Sequence, residues 1–328
     1  MKSLPSMMFP GLVALGVAMS GPACSSAPEA AAVDEAGNEY VASIEQHRAS
    51  RVESLKRPLG WLSLVGLHWI EPGEHRVGSA PDNDVVLAVG PEYLGTVVSA
   101  DGRIALRPTP EAAGRVRCVK APCPGSAPAF SVDGKAPEDA DEIELRPDSS
   151  GRPSQVVFEE GVSGFSVIER GGKFALRVRD ANARTRTEFD GIPFYDVDPA
   201  WNIEARFEPH AAGHTIEIAN VIGQLQPMPN PGALVFERDG KEHRIEAIGN
   251  DDGSLFLIIA DRTSGKETYG AGRFLDVPAP ENGVVPVDFN LAYNPPCAFN
   301  EYSTCPLPPP ENRLDLAVTA GEKKPKTH

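Results

Sequence analysis

The sequence predicts a mainly β protein, an antiparallel sandwich or curled-sheet architecture with one N-terminal helix. Its 31 Gly and 32 Pro in 328 residues are far more than a helical protein carries. Short alternating runs rich in strand-forming residues recur between turn sequences such as Asp239-Gly240 and Asp252-Gly253. The order of these runs does not alternate strand with helix, which disfavours a parallel sheet.

The first 24 residues are predicted to be an export signal that ends at a lipidated Cys24. Lys2 gives a positive start, an apolar stretch follows over residues 7–19, and small residues precede the cysteine. An apolar stretch of this length is too short to span a bilayer permanently. Because Gly21 stands where lipoprotein signals usually have Leu, a secreted protein with a free Cys24 is the alternative. The expected location is periplasmic or on the outer membrane, with a lipid anchor as the membrane contact.

The rest of the chain is predicted to contain five segments. They are a flexible tether over residues 25–38, a helix over 39–57, an N-terminal β region over 58–183, a C-terminal β region over 184–322 and a frayed polar tail over 323–328. The helix has a rough apolar stripe, and Pro58 and Gly60 end it. Strands are expected near residues 74–78, 85–89, 95–99, 103–107, 143–146, 155–159, 165–169, 174–179, 203–207, 214–219, 233–237, 243–248, 255–260 and 284–288.

Charge and cysteine content restrict the partners. The net charge of −15 disfavours nucleic acid as a partner, because phosphate binding needs concentrated Lys and Arg.

Four cysteines form two close pairs in the sequence, Cys118 with Cys123 and Cys297 with Cys305. An even number of cysteines in an exported chain favours disulfides, although the sequence leaves open which cysteines are joined. Their spacings do not fit a zinc knuckle, so no metal site is predicted. The sequence has none of the common nucleotide or cofactor motifs, and no cofactor is predicted.

Four motifs carry a resemblance to a known family. They are Gly-Trp-Leu-Ser-Leu-Val-Gly-Leu-His-Trp at residues 60–69, Phe-Asp-Gly-Ile-Pro-Phe-Tyr at 189–195, Asp-Arg-Thr-Ser-Gly-Lys-Glu-Thr-Tyr-Gly-Ala-Gly-Arg at 261–273 and the proline- and cysteine-rich segment 288–314. Over residues 48–322 the chain resembles the bacterial and archaeal domain-of-unknown-function family 1684. That family has no established activity, so the resemblance implies no substrate.

Residues 76–87 (Arg-Val-Gly-Ser-Ala-Pro-Asp-Asn-Asp-Val-Val-Leu) resemble the opening strand, turn and strand of forkhead-associated domains, which bind phosphothreonine peptides. Ser79 stands where that family has its phosphate-contacting Arg, which argues against phosphopeptide binding here. A hairpin turn built on Asp and Asn is the alternative interpretation.

The loop of residues 297–312 is predicted to be stiff, since proline fixes φ, and to border a polar pocket for a carboxylate or sugar. The candidate pocket residues are Tyr269, Arg273, Asp288, Asn290, Tyr293, Asn294 and Asn312. The alternative is an Arg273-centred hydrogen-bond network that only anchors the loop. Cys297 and Cys305 are predicted to be a structural disulfide, with a catalytic thiolate as the alternative.

Two histidines four residues apart, His210 and His214, suggest a metal pair, but Gly213 and the strand pattern that follows favour plain loop histidines. The predicted function is therefore a binding or structural envelope module, with a small molecule or glycan as its ligand. A small-molecule enzyme, for instance a hydrolase that uses the same polar pocket, is the alternative.

Overall fold

The structure, a computed structural model, describes residues 27–114, 128–137, 140–158 and 161–326. Helix α1 covers Ala27–Leu55 and the short helix α2 covers Arg184–Thr187. The strands before α2 are β1 Leu64–Ile70, β2 Gly73–Gly78, β3 Val85–Val86, β4 Gly95–Ala100, β5 Arg103–Pro108, β6 Phe130–Val132, β7 Ile143–Glu144, β8 Gln155–Phe158, β9 Ser163–Arg170 and β10 Lys173–Asp180. Those after it are β11 Asn202–Pro209, β12 Thr215–Ala219, β13 Leu225–Pro229, β14 Gly232–Arg238, β15 Lys241–Gly249, β16 Leu255–Ile259, β17 Arg273–Val277 and β18 Val284–Asp288.

The strands before α2 form two five-stranded sheets. One has the order β1-β10-β9-β8-β6 and the other β3-β2-β4-β5-β7. Alternate residues of these strands, such as Val77, Leu106, Phe165 and Val178, are buried in one shared hydrophobic cluster. The period of two along a strand puts them on a single face, as in a β-sandwich.

The strands after α2 form a curled, nearly closed six-stranded sheet of order β17-β16-β15-β14-β11-β18. Its pairings are antiparallel, and the β12–β13 hairpin forms a separate two-stranded sheet. The inner face buries Leu234, Ile245, Leu257 and Phe289, together with alternate residues of the chain end, Leu314, Leu316, Val318 and Ala320. The mainly β class with antiparallel sheets and an N-terminal helix is thus confirmed.

Helix α1 begins earlier than predicted. Residues 27–38, expected to be a flexible tether, lie within it from Ala27 onward. The stretch is rich in Ala and Glu, residues with high helix propensity, and this outweighs its loop-like polarity. Within the described residues, no helix combines the length and the apolar character needed to cross a bilayer.

The segment that resembles forkhead-associated domains contains β2 and β3, which pair parallel to each other. The alternative of a hairpin turn was therefore wrong, because a hairpin joins antiparallel strands. Arg76 donates to Asp84 across this turn, with both side chains exposed. The resemblance to forkhead-associated domains is not confirmed.

The chain end is docked rather than frayed as far as Lys326. Glu322 is 1% exposed, and its backbone N–H donates to the Ala292 carbonyl at 2.8 Å. Lys323 and Lys324 donate backbone N–H groups to Pro193 and Glu267. The first residues of the predicted frayed tail are therefore hydrogen-bonded, and composition does not reveal that these backbone groups have partners. Residues 327 and 328 of that tail lie outside the described residues.

Candidate functional site

A cavity of about 570 Å³ lies at one end of the curled sheet, where the loops after β11, β13 and β15 meet. Its volume falls in the range of small-molecule sites. We call it the histidine cavity because His210 and His214 form part of its wall. The other lining residues are Phe207, Ala211, Ala212, Gly213, Pro229, Asn230, Pro231, Gly249, Asn250, Asp251, Gly253, Leu255 and Pro280.

Backbone hydrogen bonds fix the loops around the histidine cavity. The His210 N–H donates to the Pro231 carbonyl, and the Asn230 N–H donates to the His214 carbonyl, both at 2.9 Å. Gly213 has φ +79°, a left-handed conformation that suits glycine and reverses the chain between the two histidines. The two imidazole rings are thereby brought together, with their centroids 4.5 Å apart.

A histidine–carboxylate dyad lies in the wall of this cavity. His210 Nε2 is 2.7 Å from Glu246 Oε2 on β15, and the Glu246 side chain is 11% exposed. Arg244 Nε donates to the other oxygen of Glu246 at 2.9 Å. An ionised carboxylate only accepts hydrogen bonds, so it holds the His210 proton on Nε2 and leaves Nδ1 of the neutral ring as a base.

The electrostatics of Glu246 favour its ionised form. Burial by itself would raise the pKa of this carboxyl group, but hydrogen bonds from His210, Arg244 and Asn230 together bring the pKa below its ordinary value. Asn312 also fixes the backbone of Glu246: its Oδ1 accepts from the Glu246 N–H at 2.7 Å, and its Nδ2 donates to the Glu246 carbonyl at 2.9 Å. Asn312, one of the predicted pocket residues, therefore helps to position the dyad through the backbone of Glu246.

Asn230 adds an acceptor without a partner to the wall of the cavity. It is 1% exposed, and its Nδ2 donates to the carbonyls of Gly232 and Ala247, which fixes the orientation of the amide. Its Oδ1 has no hydrogen-bond partner. Leaving a buried acceptor unpaired costs about 1–3 kcal/mol, so a donor on a bound molecule would be favourable here.

Arg273 lies away from the histidine cavity, in the core. It is 1% exposed, forms a buried ion pair with Asp261 at 2.9 Å, and donates to the backbone carbonyls of Val318, Ala320 and Glu322. This arrangement corresponds to the anchoring network considered as the alternative. The segment that it anchors is the chain end, residues 318–322.

The other predicted pocket residues also bond to their own surroundings. Tyr269 donates to the Cys297 carbonyl, and Tyr293 donates to Asp276. Asp288 accepts from the Asn290 N–H at a 3₁₀ turn, and Asn294 donates to the Lys323 carbonyl. None of the predicted pocket residues lines the histidine cavity, and Asn312 is the member that contacts its dyad.

Cys297 and Cys305 lie side by side as free thiols, so the predicted disulfide between them is not present. Each backbone N–H donates to the sulfur of the other residue, at 3.2 and 3.3 Å, and this stabilises the pair without a covalent bond. Cys24, Cys118 and Cys123, the predicted lipidation site and second pair, lie outside the described residues.

The sequence pattern indicated His210 and His214 as candidates but gave no indication of the Glu246 carboxylate. Glu246 is 36 residues from His210 and sits between buried residues of a strand, where nothing in its neighbourhood marks it as special. The available signal was its position on β15: Ile245 and Ala247 are buried in the core, so the period of two turns Glu246 to the other face.

A family model matches the C-terminal part of the chain. Residues 187–323 match a family described as "Protein of unknown function (DUF1684)". An uncharacterised protein of Haloarcula marismortui, solved by solution NMR, is similar at 31% identity; the match covers 42% of this chain and 78% of that one, with a TM-score of 0.36. The curated proteins include no match. The family match spans the histidine cavity and both free cysteines but not residues 60–69. Over residues 187–323 the chain is similar to the DUF1684 family.

Proposed function

We propose that this chain is an exported small-molecule-binding protein whose ligand occupies the histidine cavity. The observation that carries the proposal is the 2.7 Å contact between His210 Nε2 and Glu246 Oε2 in the wall of a cavity of about 570 Å³. A cavity of this size with a few convergent polar groups is the usual form of a ligand site. Export rests on the N-terminal signal-like segment and on Cys24.

The wall of the cavity defines the class of ligand. Phe207, Leu255 and several prolines offer an apolar surface, while Asn230 Oδ1 is a buried acceptor that lacks a donor. A molecule with a small apolar body and one hydroxyl or amino group satisfies both features, because its donor pairs with that oxygen. Small amines and alcohols belong to this class.

A hydrolytic enzyme is the second candidate, and the dyad is the observation that favours it. In many general bases a carboxylate orients an imidazole ring. Here Nδ1 of His210, the ring nitrogen that does not contact Glu246, would take a proton from a water molecule. Asn312 supports this geometry because it fixes the backbone of Glu246. Binding and hydrolysis then share one cavity and differ in whether the bound molecule is converted.

The proposal is tested with a library of amino and hydroxyl compounds of about 20 non-hydrogen atoms or fewer. Histidine ring signals are followed by NMR, and bound compounds are then incubated with the protein and analysed for products. Binders are expected to move the signals of His210 and His214 and to lose affinity about tenfold or more in Asn230→Ala. Product formation that disappears in His210→Gln would identify the enzyme.

The matched control is His75→Gln. His75 lies on β2, far along the chain from the cavity residues, and bonds the Glu71 carbonyl. This variant should bind every compound as the unchanged chain does. Compounds that bind equally well to Asn230→Ala and to the parent chain would show that the ligand site is elsewhere.

A further inference from the structure

The cysteine pair differs from a structural disulfide in that its two members have different surroundings. Cys297 is partly exposed and lines a second cavity, of about 470 Å³, which we call the thiol cavity. Cys305 is 5% exposed and lies behind it. One cysteine is thus partly exposed at a cavity while the other is buried, which is the arrangement of an attacking and a resolving thiol.

A buried cation lies near the pair. Arg177 on β10 is 5% exposed, its Nη2 donates to Thr304 Oγ1 at 3.3 Å, and its Nε has no hydrogen-bond partner. In the part of the chain that the structure describes, no carboxylate forms an ion pair with it. The guanidinium lies over the Trp61 ring, with Cζ 5.6 Å from the ring centroid, and interacts with the charge of Asp148. Burying a charge without a direct ion pair is costly, so a thiolate that forms near Arg177 is stabilised by it.

The pKa values of the two thiols are shifted in opposite directions, in agreement with their different surroundings. The hydrogen bond from Cys305 lowers the pKa of the Cys297 thiol, and the charge of Arg177 adds to this effect against burial. The same hydrogen bond together with burial raises the pKa of Cys305. Burial, followed by the charges of Arg170 and Arg179, lowers the pKa of Arg177 to about 10, so it remains a cation at neutral pH.

Other ionisable groups also face Cys297. Tyr269 donates its hydroxyl to the Cys297 carbonyl, and Glu301, Tyr302 and Lys326 line the thiol cavity. Lys326 forms an ion pair with Asp190 at 3.0 Å, and Glu301 forms a hydrogen bond with Tyr302. Among the charged side chains, Arg177 is the one whose charge lowers the pKa of Cys297.

We propose that Cys297 and Cys305 form a thiol–disulfide exchange site that reduces low-molecular-weight disulfides bound in the thiol cavity. The Cys297 thiolate attacks one sulfur of the substrate, forms a mixed disulfide and releases the other half of the substrate as a thiol. Cys305 then gives up its proton and attacks Cys297 Sγ, which releases the second thiol and leaves the Cys297–Cys305 disulfide. Two protein thiols are oxidised, and one substrate disulfide is reduced to two thiols.

Trapping of the mixed disulfide tests this sequence of steps. The full-length chain is reduced, freed of reductant, incubated with oxidised glutathione, quenched with acid and digested with trypsin. Both cysteines fall in the tryptic peptide 274–313, and cleavage after Glu301 separates them, so Cys24, Cys118 and Cys123 do not interfere. We expect an internal disulfide without glutathione in the parent chain and one glutathione on Cys297 in Cys305→Ser.

The reverse substitution completes the trapping experiment. In Cys297→Ser, Cys305 should take up glutathione at least about tenfold more slowly, because it is buried and its thiol is kept protonated. Equal reaction of Cys305 in this variant would overturn the assigned roles. A Cys297 that takes up no glutathione in Cys305→Ser would leave only a structural disulfide and end the proposal.

The role of Arg177 has a separate test, the pH profile of iodoacetamide alkylation at Cys297 measured by the same peptide mapping. Arg177→Met should raise the midpoint of this profile and slow alkylation at pH 7 about threefold or more, whereas Arg177→Lys should largely restore it. Arg179→Met is the matched control, since half-buried Arg179 lies on the same strand and is not among the groups that shift the pKa of Cys297. Equal midpoints for Arg177→Met and the parent chain, with folding confirmed by circular dichroism, would refute this role.

Discussion

At the residue scale, the structure separates polar residues that stabilise the fold from those that line cavities. Arg273 and Asp261 are each about 1% exposed at the side chain, and their hydrogen bonds end on each other and on the backbone of the chain end. His210 and Asn230 belong to a cavity wall and keep unused hydrogen-bonding capacity. Residue type alone does not distinguish these roles, because all four are polar side chains in or next to loops.

Removing one partner of the buried ion pair should be strongly destabilising. Arg273→Met leaves Asp261 buried without its cation and three carbonyls without their donor, which should lower the free energy of unfolding by about 3–5 kcal/mol. Urea denaturation followed by circular dichroism measures this. Arg184→Met, which breaks the exposed pair with Glu188, is the control and should change little. Equal effects of the two substitutions would contradict an anchoring role for Arg273.

Glu246 should make stability depend on pH in the acid range. Its pKa is lowered in the folded state, so its contribution is present above the ordinary glutamate value of about 4.3 and is lost as the pH falls through the lower folded value. Glu246→Gln should cost roughly 1 kcal/mol at pH 7, since solvent screening reduces the effect, and less at pH 3, where part of the carboxylate contribution is already lost.

Urea denaturation at both pH values checks the difference, with Glu242→Gln as control. Glu242 lies on the same strand, and its side chain is 72% exposed. A loss for Glu246→Gln that is the same at pH 3 and pH 7 would show that the carboxylate charge is not what stabilises the dyad.

At the element scale, the chain end closes the curled sheet. Alternate residues of the chain end, Leu314, Leu316, Val318 and Ala320, are buried in the hydrophobic cluster of the curled sheet, and the Gly321 carbonyl accepts from the Tyr195 N–H at 3.0 Å. Gly321 has φ +78°, and a Cβ there would lie 2.5 Å from the Ala292 carbonyl oxygen. This close approach of two backbone segments requires glycine, since backbone cannot move aside as a flexible side chain can.

Gly321→Ala should therefore destabilise the protein more than glycine replacement at an open site. Gly283 has nearly the same φ, +79°, with nothing within 4 Å of its added Cβ, so Gly283→Ala measures conformational strain alone, about 1–2 kcal/mol. Gly321→Ala should cost at least about 1 kcal/mol more, because it adds a steric clash to the same strain. Thermal and urea unfolding of both variants give the comparison. Equal losses would indicate that the chain end can shift without cost.

At the scale of the whole molecule, residues 41–328 form one compact unit. Within it, the strands that precede α2 in the chain and the strands that follow it form separate sheets, each with its own hydrophobic cluster. The family match covers the second set. The thiol site draws on both sets, because Arg177 belongs to β10 while Thr304, its hydrogen-bond partner, lies 127 residues further along the chain.

Membrane attachment is a property of the whole chain and is tested through Cys24. If Cys24 is lipidated, the chain should fractionate with membranes in a bacterial host, and Cys24→Ser should move it to the soluble fraction because acyl chains supply the attachment. Immunoblotting of membrane and soluble fractions measures this. Cys118→Ser, as control, should leave the distribution unchanged. Continued membrane association of Cys24→Ser would refute a lipid anchor at this residue.

The sequence by itself determined the β class and the presence of an N-terminal helix. These depend on local signals: the spacing of Gly and Pro, a period of two in strands and the apolar stripe of the helix. It also marked His210, His214, Cys297 and Cys305 as chemically interesting, but it assigned the histidines to a plain loop and the cysteines to a disulfide.

Only the tertiary structure decided which polar groups meet. Strand register on β15 places Glu246 beside His210, and a shift of one residue would have turned it into the core. The packing of the loop of residues 297–312 against β10 brings Arg177 near the two thiols. Such contacts join residues far apart in the chain, so they depend on sheet order and burial, which no local pattern of residues encodes.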